Sequence, residues 1–330
     1  MQDVKELLAR CKNAHTSMLN IMVNESQDVL SETTRTQLMT EMTGSNFKVP
    51  EVVSFIRESG WQTRVICDGI TINVLHRMRD VNADVPISQV HRVARRVACM
   101  FRVLGMPGPL VYWFIPCLAT KVFPDTHVCV DKMHVNSAYT YMNSNEVYIY
   151  RREEFPKVML HEALHHSQFN TGNWDQSLLS RVFTKFAISP DTILRPNEAI
   201  IESWAELFHL AFISQEYNFD FYKLYAMELQ WTLMQARRIL SRHVSVPAEA
   251  GGMSPWKEKS HAYSYYVIRS FFMFAPDTFV RIAREKKDAV ETAYVDLAVS
   301  IADSPAYHEA FLAIRVPKHT CFRMTVFGDL

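Results

Sequence analysis

The sequence predicts an α+β fold: an N-terminal lobe of helices with a small mixed sheet, followed by a lobe made of helices. Three observations carry this reading. Apolar residues recur at helical spacing before residue 104, aromatic and β-branched runs cluster between residues 110 and 150, and beyond about Ser177 the strand signals fade into helical periodicity. The expected division is 1–176 for the first lobe, ending in the helix that carries the chemistry, and 177–330 for the second.

From Asp3 to about Leu104 the pattern reads as mostly helical, most clearly over Ile87–Leu104, where Val90, Val93, Ala94, Val97, Met100, Phe101 and Leu104 share a face. His91, Arg92, Arg95, Arg96 and Arg102 occupy the other face, which reads as a solvated side. Gly105–Pro109 breaks the helix, and Leu110–Ile115 has the content of a buried strand. Further strands are expected at Ala119–Phe123, His127–Val130 and Ala138–Met142. The last is joined through Asn143, Ser144 and Asn145 to Glu146–Tyr150 as a hairpin. In the second lobe helices are expected at Asn197–Ile213, Phe219–His243, Ser260–Phe274, Asp277–Lys286 and Asp288–Asp303. Ser245–Pro255, with Gly251, Gly252 and two prolines, reads as a mobile loop.

Composition removes several classes of function. Lys and Arg number 35 against 35 Asp and Glu, so bulk charge does not drive binding to nucleic acid. None of the 9 glycines forms a GxGxxG or GxxxxGK[ST] phosphate cradle. The six cysteines include no CxxC pair and read as reduced thiols. The N-terminal stretch has charges threaded through it, unlike a signal peptide, and the longest apolar run, Pro109–Ala119, is too short to span a membrane. A soluble protein of the cytoplasm or another intracellular compartment is expected.

The residues that carry chemistry lie at His161-Glu162-Ala163-Leu164-His165. This is HExxH in an apolar helical register, with Pro156 suited to the first turn. At i and i+4 the imidazoles of His161 and His165 fall one turn apart on one face and can reach a single tetrahedral zinc. Glu162 can then act as general base on a metal-bound water. In a chain of this composition the motif arises by chance roughly 0.03 times. A hydrolytic zinc needs a third protein ligand. The segment from Asn197 offers Glu198, Glu202 and Glu206 at successive turns of one helix face.

Over Phe155–Glu206 the chain resembles the gluzincins, zincin metallopeptidases in which a second helix supplies a glutamate to an HExxH zinc. Two alignments of that second motif compete. Asn197-Glu198-Ala199-Ile200-Ile201-Glu202 is similar to the NEAISD stretch of thermolysin-like enzymes, which makes Glu198 the ligand and Glu202 its neighbour in support. Glu202-Ser203-Trp204-Ala205-Glu206 fits the commoner E-x-x-A-[DE] form, which makes Glu202 the ligand and has Glu206 accept the outer ring N–H of a ligand histidine. The small Ala205, against the bulky Ile201 in the other frame, favours Glu202.

The resemblance implies a zincin-like fold with its active site between the lobes, one zinc per chain held by His161, His165 and Glu202, and peptide or protein substrates. It also implies a substrate edge strand within Ala138–Tyr150 and a donor to the oxyanion from the helical lobe. His261, Tyr263, Tyr265 and Tyr266 are the candidates, with Tyr265 or Tyr266 favoured. His166 and His209 read as structural. No GxMEN-type strand precedes His161, so the expected activity is endopeptidase or carboxypeptidase. The alternative is an inactive zincin-fold structural or binding protein, against which the intact Glu162 argues.

Overall fold

The computed structural model describes residues 2–45, 49–125, 128–141, 144–167, 169, 174–245, 256–283, 287–316 and 321–330, without the side chains of 243–245 and 287–289. The N-terminal half begins with α1 (Gln2–Met18), β1 (Asn24–Val29), α2 (Glu32–Gly44) and α3 (Pro50–Glu58). The strands β2 (Trp61–Cys67) and β3 (Ile70–His76), the helix α4 (Ile87–Leu104) and the strand β4 (Leu110–Phe114) follow. A short α5 (Lys132–Val135), β5 (Ala138–Thr140) and β6 (Glu146–Ile149) lead into α6 (Phe155–Leu164). The helical half comprises α7 (Gln176–Lys185), α8 (Pro196–Glu216), α9 (Phe221–Ser245), a π-helical turn at Tyr263–Ile268, α10 (Arg269–Phe274), α11 (Pro276–Ile282), α12 (Lys287–Ala302) and α13 (Pro305–Ala313). The α+β class is as the sequence predicts.

The six strands form one sheet in the order β1-β2-β3-β4-β6-β5. β1, β2 and β3 form an antiparallel meander, β4 lies parallel to both β3 and β6, and β5 returns antiparallel on β6 as the outer strand. α4 makes the crossover between the parallel pair β3 and β4, as such a pair requires. It packs with α6 on one face of the sheet. α2 and α3 cover the other face, with Leu38, Met42, Phe55 and Ile56 set against Leu75, Ile115, Tyr139 and Tyr148.

Three strands stand where helix was expected. β2 and β3 meet at Asp68-Gly69, both at positive φ (48° and 82°), the conformation that a two-residue hairpin demands. Ala119–Phe123 and His127–Val130 are not strands. Val122 forms one isolated bridge to Cys321, and His127 lies outside the described residues. The arginine face of α4 is solvated only in part: Arg102 is exposed and His91, Arg92 and Arg95 are half-buried, but Arg96 is neither. Arg96 is fully buried, paired with Glu216 and donating to the Leu330 carbonyl at 2.8 Å. The loop expected at Ser245–Pro255 lies outside the described residues beyond Ser245.

The halves do not separate cleanly at 176. α1 packs on α8 and α11, and one apolar cluster runs through both halves. The segment 321–330 passes beneath the start of α6, where Gly328 approaches Glu154 so closely that a Cβ would meet its Cγ at 2.6 Å. No described helix is long and apolar enough to cross a membrane.

Candidate metal centre

α6 is buried from Phe155 to Leu164, with Pro156 in its first turn and Phe155 stacked on Phe114 of β4 at 4.6 Å. Its N-cap, Glu154, sits at φ 60° and gives its carboxylate to Lys121 Nζ (2.7 Å) and the Thr325 N–H (2.7 Å). α6 is thereby fixed against the sheet on one side and the chain's last segment on the other. α8 is likewise buried from Pro196 to Ile213 and packs directly on α6.

The two helices run antiparallel, as their polar contacts reveal. Lys157 and His161 meet Glu202, and His161 and His165 meet Glu198. Glu198 Oε2 lies 3.5 Å from His161 Nε2 and 3.6 Å from His165 Nε2. One donor atom from each of these three residues lies within 4.8 Å of the others, and they are the one such group of three among the described residues. Tetrahedral zinc with bonds of ~2.0–2.1 Å holds its ligand atoms ~3.3–3.4 Å apart; with the Glu198 oxygen 3.5 and 3.6 Å from the two ring nitrogens, the donor set could hold zinc or another divalent ion.

Glu202 does not join this cluster, which corrects the frame favoured from sequence. Its Oε2 meets His161 Nδ1 at 2.7 Å, on the far side of the ring, and its Oε1 takes Lys157 Nζ and Arg269 Nη1, the latter at 3.1 Å. A carboxylate in this place behind the ring is the kind of support a metal-binding imidazole uses, and here it leaves Nε2 on the side of Glu198. Glu206 does not take that part: it lies a further turn along α8, bonded to the Thr325 hydroxyl at 3.1 Å. Thr325 Oγ1 also lies 2.8 Å from Glu228 Oε2. A hydroxyl donates one proton, so one of these two carboxyls must donate in return. Burial, with repulsion from Glu228, accordingly pushes Glu206 well above the carboxylate range, and burial raises Glu228 to about 7 against the pull of Arg269.

The electrostatics divide in the same way. Burial disfavours ionising Glu198, but His165 and His161 hold it below the usual range. Burial likewise opposes ionising Glu202, which Lys157, His161 and Arg269 keep charged. Burial works against a charged His161, yet its hydrogen bonds to Glu198 and Glu202 raise it to about 9, whereas burial lowers His165 to about 4. Glu162, next to the first histidine, is pushed up to about 7 by burial, with His161 opposing.

The cluster opens on a cleft of about 460 Å³ whose wall includes residues 138–141 of the edge strand β5 and its continuation. Tyr265 also lines it and donates to Glu198 Oε2 at 3.1 Å. Tyr265 reaches that place from a π-helical turn, a distortion frequent at functional sites. Tyr266, the other tyrosine favoured from sequence, points away: its hydroxyl donates to the Phe322 carbonyl (2.6 Å) and its ring stacks on Phe322. Tyr263 is a core residue against Trp256 and Phe186. His261 lines the cleft with Nδ1 donating to the Ile193 carbonyl at 2.9 Å. His209 is buried between Arg96 and the Phe327 carbonyl, as its structural reading expects. His166 lies on the cleft wall 3.3 Å from Thr140 Oγ1.

Sequence reading missed Lys157, Arg269, Glu228 and Thr325. Lys157 had a signal: the lone charge in the apolar run Phe155–Leu160, one turn before His161, it needed a carboxylate opposite it. No family model, curated protein or solved structure matches the chain.

Proposed function

We propose that the protein is a zinc-dependent peptidase of zincin type, with His161, His165 and Glu198 as metal ligands. The observation that carries this reading is the convergence of two imidazole nitrogens and one carboxylate oxygen at metal-ligand spacing, with Glu162 beside them in an open cleft. Zinc held there would lower the pKa of a bound water and polarise a carbonyl.

Glu162 takes the proton of the attacking water and returns it to the leaving amine, a task suited to a carboxyl that burial raises toward neutrality. Tyr265 donates its hydroxyl to the carbonyl oxygen as negative charge builds there. Glu202, held by Lys157 and Arg269, engages His161 through Nδ1 and so leaves Nε2 as the nitrogen that would meet a metal. The outer edge of β5 borders the cleft and offers backbone groups to an extended substrate.

Elemental mass spectrometry on protein purified without added metal, beside His161→Ala, tests the first step. About one zinc per chain, lost in the variant, is expected. Hydrolysis of a mixed peptide library by wild type but not by Glu162→Gln is the second expectation. No zinc uptake at neutral pH, or equal turnover by Glu162→Gln, defeats the reading.

A further inference from the structure

The cleft beside the metal cluster differs in charge at its two ends, and β5 supplies the direction. Where β5 begins, the wall carries Lys132, Arg195 and His261. These come from three segments tied side by side: Lys259 N–H donates to the Val130 carbonyl (2.9 Å), and His261 Nδ1 donates to the Ile193 carbonyl (2.9 Å). Where β5 ends, Pro107, Pro109 and Leu110 give a neutral, apolar wall, since Val111 N–H bonds to the Asn145 carbonyl just before β6. The carboxylates among the described lining residues are Glu162 and Glu198, both central. Arg195 is exposed, and its guanidinium makes no hydrogen bond or ion pair among the described residues.

We infer that this cationic end binds a carboxylate on the C-terminal side of the scissile bond, with Arg195 as its main contact; the inference rests on the peptidase reading. Two independent arguments give the same polarity. A peptide that adds to the free edge of β5 in the more stable antiparallel sense runs against it, so its C-terminal half lies where β5 begins. The opposite orientation would set a substrate ammonium against Arg195 and Lys132, whereas a carboxylate matches the planar guanidinium fork. The carboxylate is either the substrate's own C-terminus, which makes the enzyme a carboxypeptidase, or an acidic side chain after an internal cleavage point.

The test uses matched peptides with a free C-terminus, a C-terminal amide, and an amide carrying either Asp or Asn near that end. Binding to zinc-loaded Glu162→Gln protein is measured by calorimetry and hydrolysis is measured with wild type. A carboxylate-bearing peptide is expected to bind about tenfold more tightly than its neutral partner, with Arg195→Ala on the same background bringing the two together. Preference for the free acid over the amide identifies the terminal group, and preference for Asp over Asn identifies the side chain. Equal binding of all four, or a preference that survives Arg195→Ala, overturns the inference while leaving peptide hydrolysis by wild type intact. Zinc-loaded wild type that cleaves no peptide overturns the peptidase reading and this inference with it.

Discussion

Replacing Glu198 and Glu202 separately by Gln distinguishes the carboxylate proposed to hold the metal from the one proposed to stand behind it. Glu198 is buried beside two imidazoles, with the Tyr265 hydroxyl on the same oxygen. An amide oxygen can keep that tyrosine bond, so metal-free Glu198→Gln should melt within about 2 °C of wild type. It loses the anionic ligand, however, and should no longer retain stoichiometric zinc through gel filtration.

Glu202 presents the opposite balance. Its carboxylate is fully buried and answers Lys157, Arg269 and His161 at once. Gln there leaves a buried cation without its counter-charge, a loss of about 3–5 kcal/mol. With an unfolding entropy of ~2.1 cal/mol/K per residue, this chain should melt about 4–7 °C lower. The three ligand atoms remain, so zinc affinity should fall only by the ~10–100-fold typical of a lost supporting hydrogen bond. Differential scanning calorimetry of the metal-free proteins and competition with a chromogenic chelator supply both numbers. Stoichiometric zinc in Glu198→Gln together with none in Glu202→Gln would refute the ligand set.

Three more outcomes follow from the same geometry. Glu162→Gln should keep zinc and fold while turnover drops by about 10²–10⁴; a smaller change in single-turnover rate would remove Glu162 as the base. Tyr265→Phe should lower kcat by about 10²–10³ at unchanged metal content, whereas Tyr266→Phe, which loses only a bond to a backbone carbonyl, should leave kcat alone. Equal kcat effects in the two would exclude Tyr265 as the donor. Burial raises the Glu258 carboxyl from its ordinary 4.5 to about 8, although it accepts N–H bonds from Tyr263 and Ala262. Between those pH values the unfolded chain releases a proton that the folded chain retains. The stability Glu258 contributes is therefore full below 4.5 and is lost as pH rises toward 8, and Glu258→Gln should gain on wild type by a few kcal/mol over that range. A stability gap between the two that is flat from pH 5 to 8 would contradict this.

The fold was legible where a strand or helix obeys its own period and obscure where long-range pairing decides. Leu110–Ile115 and Glu146–Tyr150 are dense in β-branched and aromatic residues and form β4 and β6 within a residue of expectation. β1 has no such density: Asn24–Val29 is exposed at every position and is a strand only because β2 lies beside it. β2 and β3 carried a readable signal, Asp-Gly between alternating apolar residues, and it was outweighed by the helical periodicity on either side. Arg96 shows a different limit. On its own helix it lies among polar neighbours, and only Glu216 and the last residue, arriving from far along the chain, explain its burial.

The candidate residues were legible down to the two helices that bring them together, and the sequence left open which of two carboxylates one turn apart meets both histidines. Glu198 and Glu202 are both carboxylates on the buried face of α8, and the size of the residue three positions on does not separate them, because Ile201 after Glu198 is buried as fully as Ala205 after Glu202. What separates them is the antiparallel packing of α6 on α8. Lys157, His161 and His165 occupy three successive turns, and the carboxylates opposite descend from Glu202 to Glu198. The rung holding Lys157 must carry a negative charge for its own sake, since a buried ammonium without one is untenable. Glu202 is committed there, and its second oxygen takes the rear of His161. The next carboxylate toward the N-terminus of α8 is then the one that can lie between the two forward ring nitrogens. A Lys157→Met, Glu202→Gln double replacement removes that rung as a unit: it should recover part of the stability lost in Glu202→Gln alone while Glu198 still holds zinc.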